Sequence, residues 1–139
     1  MRSILVAVVM TLTLAPFIGC APDNIATSTC ESIFLATGEP WSCTVTGKIV
    51  GQASSIAFDT ESRNQVAHVS IALRVTKGTL RLDYRDLAGD QHVLVTPSAP
   101  ADLTMRTRMH PERRSFTLYF EPVNGAVEGL TGTVKYSTP

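Results

Sequence analysis

Ala67-His68-Val69-Ser70-Ile71-Ala72-Leu73-Arg74-Val75 decides the fold. Ala67, Val69, Ile71, Leu73 and Val75 fall on one side, with His68, Ser70, Arg74 and then Thr76 on the other. A period of two is the signature of a strand, because successive side chains point to opposite faces of the pleat. As the longest such run in the chain, it predicts a central strand with one buried and one wet face.

The same alternation continues in both directions. Toward the amino terminus, Asp59-Thr60-Glu61-Ser62-Arg63-Asn64 is a polar turn, Ile56 and Phe58 make a short strand, and Cys43, Val45, Gly47 and Ile49 face inward against Thr44, Thr46 and Lys48. Toward the carboxyl terminus, Lys77-Gly78 supplies a turn, and Leu80, Leu82 and Tyr84 alternate with Arg81, Asp83 and Arg85. The loop Asp86-Leu87-Ala88-Gly89-Asp90 predicts a hairpin to His92–Val95. After Pro97 and Pro100, Leu103, Met105, Thr107 and Met109 point in while Thr104, Arg106, Arg108 and His110 point out. Pro111-Glu112-Arg113-Arg114 makes the next turn, Phe116, Leu118 and Phe120 the next strand, Asn124-Gly125 another turn, and Leu130, Gly132, Val134 and Tyr136 the last strand. Seven or eight short strands with a turn about every 8 to 12 residues predict an all-β antiparallel β-sandwich. A small closed β-barrel gives the same pattern and is the alternative.

The chain opens differently, with Met1-Arg2-Ser3, an uncharged run from Ile4 to Ile18, and Gly19-Cys20. A charge, an apolar core and a small residue before a cleavage point are the parts of an export signal. The apolar run is shorter than the ~20 residues of a spanning helix. Phe17-Ile18-Gly19-Cys20 resembles the lipobox of bacterial lipoproteins, with Phe17 standing where Leu is usual. That resemblance implies cleavage before Cys20, a thioether-linked diacylglycerol on Cys20, and an acyl chain such as palmitate on its freed amine. Two or more acyl chains anchor stably, since each buried CH₂ contributes ~0.8 kcal/mol. Ala21 after the cysteine resembles the sorting residue of outer-membrane lipoproteins. An uncleaved anchor and an ordinary secretory signal remain compatible with the same residues. The expected organisation is a signal helix over 1–19, a lipidated cysteine and tether over 20–29, and a β-sandwich over 30–139.

Removing that signal leaves about 120 residues, one domain's worth. The 139-residue chain carries 12 Lys+Arg against 12 Asp+Glu, so no global field attracts nucleic acid. Cys30 and Cys43 remain as a pair in a chain that leaves the reducing cytosol, which predicts a disulfide. It would close a loop holding Gly38-Glu39-Pro40-Trp41 and stabilise by ~3 kcal/mol in the chain-entropy model. Trp41, the single tryptophan, reads as a lid over that bridge.

Chemistry-bearing motifs are sparse. The sequence has no G-x-S-x-G and no phosphate loop. Neither Cys30 and Cys43 nor the scattered His68, His92 and His110 have metal-ligand spacing, so no metal and no cofactor are expected. Asp83, Asp86 and Asp90 surround one hairpin and read as turn residues. One local concentration is basic: Arg106, Arg108 and His110 on one strand face, with Arg113 and Arg114 in the turn after it. Guanidinium groups grip phosphates and carboxylates bidentately, which makes this edge the candidate anion-binding site. The leading expectation is a membrane-anchored, non-enzymatic binding or scaffolding module of the cell envelope. Recognition of an anionic ligand through the Arg106–Arg114 edge is one alternative, and a hydrolase whose site assembles from distant strands is another. Expected partners are the membrane, through Cys20, and an envelope protein or anionic glycolipid. The expected location is the outer membrane where the envelope has one, otherwise the outer face of the cytoplasmic membrane.

Overall fold

A computed structural model describes residues 24–32 and 40–139. The expected signal helix and Cys20 lie outside the described residues. Eight strands follow in order: β1 (Thr27–Ser32), β2 (Trp41–Val50), β3 (Ser54–Asp59), β4 (Val66–Arg74), β5 (Lys77–Asp86), β6 (Gly89–Val95), β7 (Ala101–Arg108) and β8 (Ser115–Ser137). Every pairing between them is antiparallel.

β8 organises the topology. Its carboxyl-terminal half lies between β2 and β4, and its amino-terminal half between β3 and β5. With β1 outside β2, β7 outside β4 and β6 outside β5, the strands form a five-stranded sheet β1-β2-β8-β4-β7 and a four-stranded sheet β3-β8-β5-β6 that share β8. Phe116 at the start of β8 and Tyr136 near its end meet edge-to-face with ring centroids 5.1 Å apart. A straight strand would hold residues twenty positions apart at about 66 Å, so β8 folds over between them. The fold-over falls at Asn124 and Gly125, whose φ angles are 58° and 118°. The expected Asn124-Gly125 reversal thus exists, as one strand turning over between stacked sheets. β2 and β3 turn over beside it on one flank, and β4 and β5 on the other.

The faces follow the alternation. Val69, Ile71 and Leu73 of β4 are buried, as are Cys43 and Val45 of β2, Leu130 and Val134 of β8, and Phe58, Leu80, Leu82, Leu118 and Phe120 opposite them. Ile49 breaks the expected pattern: it is 40% exposed and Val50 takes the interior place. The slip falls at the end of β2, where the chain leaves one sheet for the other. β1 is an addition, since Thr27–Ser32 carries no apolar alternation and lies partly in the stretch read as tether. Its pairing with β2 sets Cys30 opposite Cys43, and the two form a disulfide.

No ladder joins β7 to β6 or β1 to β3 among the described residues, so the architecture is a sandwich and the closed barrel is set aside. A single hydrogen bond spans the gap on one side, from Leu87 N–H to the Arg106 carbonyl at 2.9 Å.

Tyr136 is the node between the layers. It stacks on Trp41 of its own sheet at 5.3 Å and meets Phe58 and Phe116 of the other. Its hydroxyl donates to the Asp59 carbonyl. Trp41, two residues from Cys43 on β2, thus stacks on Tyr136. Burial, and secondarily the nearby Asp59 carboxylate, push the Tyr136 phenol up from 10.0 to about 12. A folded pKa above the unfolded one means the native state holds the proton more tightly. The resulting stability is fully present below pH ~10 and is lost as pH rises through about 12. Tyr136→Phe should therefore flatten the alkaline limb of a urea-unfolding series, by up to roughly 2 to 3 kcal/mol between those limits. An unchanged alkaline slope in the variant would contradict this account of Tyr136.

Candidate anion-binding groove

The five basic residues expected from sequence fall in two places. Arg106 and Arg108 are exposed on β7, two residues apart and on one face. His110, Arg113 and Arg114 are exposed in the turn between β7 and β8.

That turn is held by its own members. His110 N–H donates to the Ser115 carbonyl and Arg114 N–H donates to the His110 carbonyl, each at 2.8 Å. His110 Nδ1 accepts from the amides of Glu112 and Arg113 at 3.3 and 3.2 Å. Arg114 sits at φ 51°, and its Nη1 donates to the Glu61 carbonyl at 3.2 Å. His110 and Arg114 are thus engaged in shaping the loop, and Arg113 stands between them.

Arg106 has different company. On β4 its cross-strand partner is His68, and the other neighbour of His68 is Ser137 on β8. One pair further along, Lys135 of β8 faces Ser70 of β4, which faces Thr104 of β7. Two adjacent rows result, Ser137–His68–Arg106 and Lys135–Ser70–Thr104, with about 4.8 Å between strands and about 6.6 Å between rows. These six side chains line an open groove of about 800 Å³ on the outer face of the five-stranded sheet. The β5–β6 turn walls it with Leu87, 47% exposed, and Pro40 borders it.

The charge balance in the groove is basic. The ion pairs among the described residues are Lys77–Glu128 at 3.3 Å, Arg81–Asp83 at 2.9 Å and Arg85–Asp90 at 2.7 Å, none of which draws on Arg106 or Lys135. Asp86 is the one carboxylate among the described lining residues, and its Oδ1 accepts from the amides of Ala88 and Gly89 at 2.7 and 3.0 Å. Arg108 borders a second groove, of about 680 Å³, shared with Arg85 and Asp90. There the hydrogen bond to Asp90 raises the pKa of Arg85, and the same bond lowers that of Asp90. Both side chains are fully solvated, so the pair contributes little to stability.

Sequence reading missed His68 and Lys135 as companions of Arg106. Each stands alone on its own strand, and only the pairing of β4 with both β7 and β8 brings them together. Of the three carboxylates around the β5–β6 hairpin, Asp86 caps the turn through backbone amides, as expected of a turn residue. His68, His92 and His110 stand on β4, on β6 and in the loop after β7, and no group of three or more His, Cys, Asp or Glu converges among the described residues.

No protein-family model matches the chain, and no curated relative matches its sequence. Among solved structures it is similar to a chain of the Bacillus endospore appendages, a family of disulfide-linked pili, at 14% identity and a TM-score of 0.43. That alignment covers 87% of this chain and 96% of the other. It is also similar to the PRD1 vertex protein P5, at 12% identity and a TM-score of 0.44, over 81% of this chain and 95% of that one.

The role given to His110 predicts a specific loss. His110→Ala should destabilise the domain by about 1 kcal/mol in urea unfolding, the usual cost of removing a side-chain acceptor from exposed amides. His110→Asp, which restores an acceptor, should recover most of it. Equal stability of all three proteins would show that the imidazole does not hold the turn.

Proposed function

We propose that this protein is a lipid-anchored, non-enzymatic binding module of the bacterial cell envelope that recognises an anionic partner along its β7 edge. The observation that carries the reading is the gathering of Arg106 and Arg108 with His68 and Lys135 on three adjacent strands, with no carboxylate of the described residues paired to either arginine or to the lysine. Solvated cations with no internal partner are available to a ligand from outside, and Arg is suited to phosphate and carboxylate.

The anchor half of the proposal rests on Met1 to Cys20. Diacylglycerol on Cys20 and acylation of its amine would hold the chain at the outer membrane, or at the outer face of the cytoplasmic membrane where no outer membrane exists. β1 begins seven residues beyond Cys20, and a chain extends at most ~3.5 Å per residue, so the sandwich would stay within roughly 25 Å of the lipid surface. The tether enters at β1, and β7 forms the opposite edge of the same sheet. Four strand spacings, about 19 Å, separate them, which leaves the basic edge clear of the attachment point. A disulfide inside β1–β2 suits an oxidising compartment.

Two measurements test this reading. The mass of the mature chain should show cleavage before Cys20 and added acyl groups, both lost in Cys20→Ala. Binding to phosphatidylglycerol-containing vesicles should fall steeply as salt rises and should weaken when Arg106 and Arg108 become Ala. An unmodified Cys20 would remove the anchor, and binding indifferent to both salt and the arginines would remove the anionic partner.

A further inference from the structure

The geometry points to a phosphorylated sugar as the group bound in the outer-face groove, gripped by Lys135, His68 and Arg106 and oriented by Ser70, Thr104 and Ser137. This inference rests on the anionic-partner reading above and adds to it the residues and the ligand chemistry.

Three features of the groove select that chemistry. First, a lysine, an imidazole and a guanidinium stand on neighbouring strands, and His68 faces Arg106 directly. Placing basic groups opposite each other on a sheet costs stability when both are charged, and an anion seated between them offsets that cost. The Arg106 fork suits two oxygens of a phosphate, while Lys135 adds a point charge from the second row. Second, the remaining members of both rows are hydroxyls, so each basic side chain has a donor-acceptor group beside it. A hydroxyl both donates and accepts, whereas a phosphate oxygen only accepts, so the acceptor half of these groups is used when the ligand also carries the hydroxyls of a sugar. Third, the groove of about 800 Å³ is far larger than an inorganic anion needs and falls within the ~300–1,000 Å³ range of small-molecule sites. Leu87, held over β7 by the bond from its amide to the Arg106 carbonyl, gives one wall an apolar surface against which a ring can lie.

Arg108, Arg113 and Arg114 are excluded from this site. Arg108 borders the second groove, Arg114 borders a third with Arg63, Asn64 and His110, and Arg113 lines none of the three. The basic edge thus divides into a built groove around Arg106 and a flanking charged strip.

The test is calorimetric titration of the full-length chain in neutral detergent micelles with glucose 6-phosphate, inorganic phosphate and glucose. A parallel arm uses phosphatidylcholine vesicles doped with lipid A. Glucose 6-phosphate should bind more tightly than inorganic phosphate, and glucose should not bind measurably. His68→Gln and Lys135→Gln should each weaken glucose 6-phosphate binding by about tenfold, the effect of losing one charge-assisted contact. Arg113→Gln should leave it within about twofold. Ser70→Ala should reduce the preference for the sugar phosphate over phosphate alone, which a purely electrostatic patch would not show. Binding of glucose 6-phosphate together with lipid A vesicles supports a phosphosugar from either source, and binding of the vesicles alone with the same variant pattern supports a lipid-borne one. All the substituted side chains are exposed, so unchanged circular dichroism and melting confirm that the variants fold. Insensitivity to His68→Gln and Lys135→Gln, with binding lost in Arg108→Gln and Arg113→Gln, would overturn the groove and leave the broader anionic reading standing. Failure of every probe to bind would overturn the phosphosugar, and phosphatidylglycerol-vesicle binding indifferent to salt and to the arginines would overturn the anionic partner as well.

Discussion

The contact between Phe116 and Tyr136 sets the architecture. The two rings belong to one strand, twenty positions apart, and they can touch only if β8 turns back over itself. The pairs Phe58–Phe116 and Trp41–Tyr136, each stacked, extend the contact within each sheet, so four aromatic side chains from both layers form one cluster. Aromatic pairs contribute about 0.5 to 1.5 kcal/mol beyond their burial, and this cluster spans the sandwich where Tyr136 donates its hydroxyl to the Asp59 carbonyl. The fold-over needs backbone that tolerates positive φ, and Asn124, Gly125 and Gly129 supply it. Gly129 is doubly constrained, because a Cβ there would collide with the Thr76 side chain on the neighbouring turn-over.

The basic groove follows from the same constraint. β8 is central in the five-stranded sheet only because its carboxyl-terminal half is inserted between β2 and β4. That insertion sets Lys135 beside Ser70 and Ser137 beside His68, and β7 on the far side of β4 completes both rows. A shift of one residue in the β4–β8 register would turn Lys135 and Ser137 inward and bring Val134 and Tyr136 to the surface. The burial that fixes the core therefore also fixes which polar groups meet on the outer face.

Much of this was legible from alternation alone. The inward sets Val69, Ile71, Leu73 and Phe116, Leu118, Phe120 are buried as expected, and so is Thr107, a polar residue placed inside by its phase. The pairing of Cys30 with Cys43 was readable because the residues up to Cys20 were expected to form an export signal, which left two cysteines to pair. β1 was not, since Thr27–Ser32 is polar on both faces and becomes a strand by pairing with β2 and by its disulfide. The companions of Arg106 were also hidden: His68 and Lys135 come to it from strands far apart in the chain, and a single sequence carries no direct signal of which strands neighbour which. Asn124-Gly125 announced a reversal, while the distinction between a hairpin and a fold-over lay in which partners flank each side of it.

The contact that joins the layers is open to direct observation. In a nuclear Overhauser spectrum of the folded chain, the ring protons of Tyr136 should show cross-peaks to those of Phe116 and Phe58 as well as to Trp41. Cross-peaks from Tyr136 to Trp41 alone, with Phe116 and Phe58 contacting only each other, would mean that the two halves of β8 do not face one another, and the sandwich described above would be wrong.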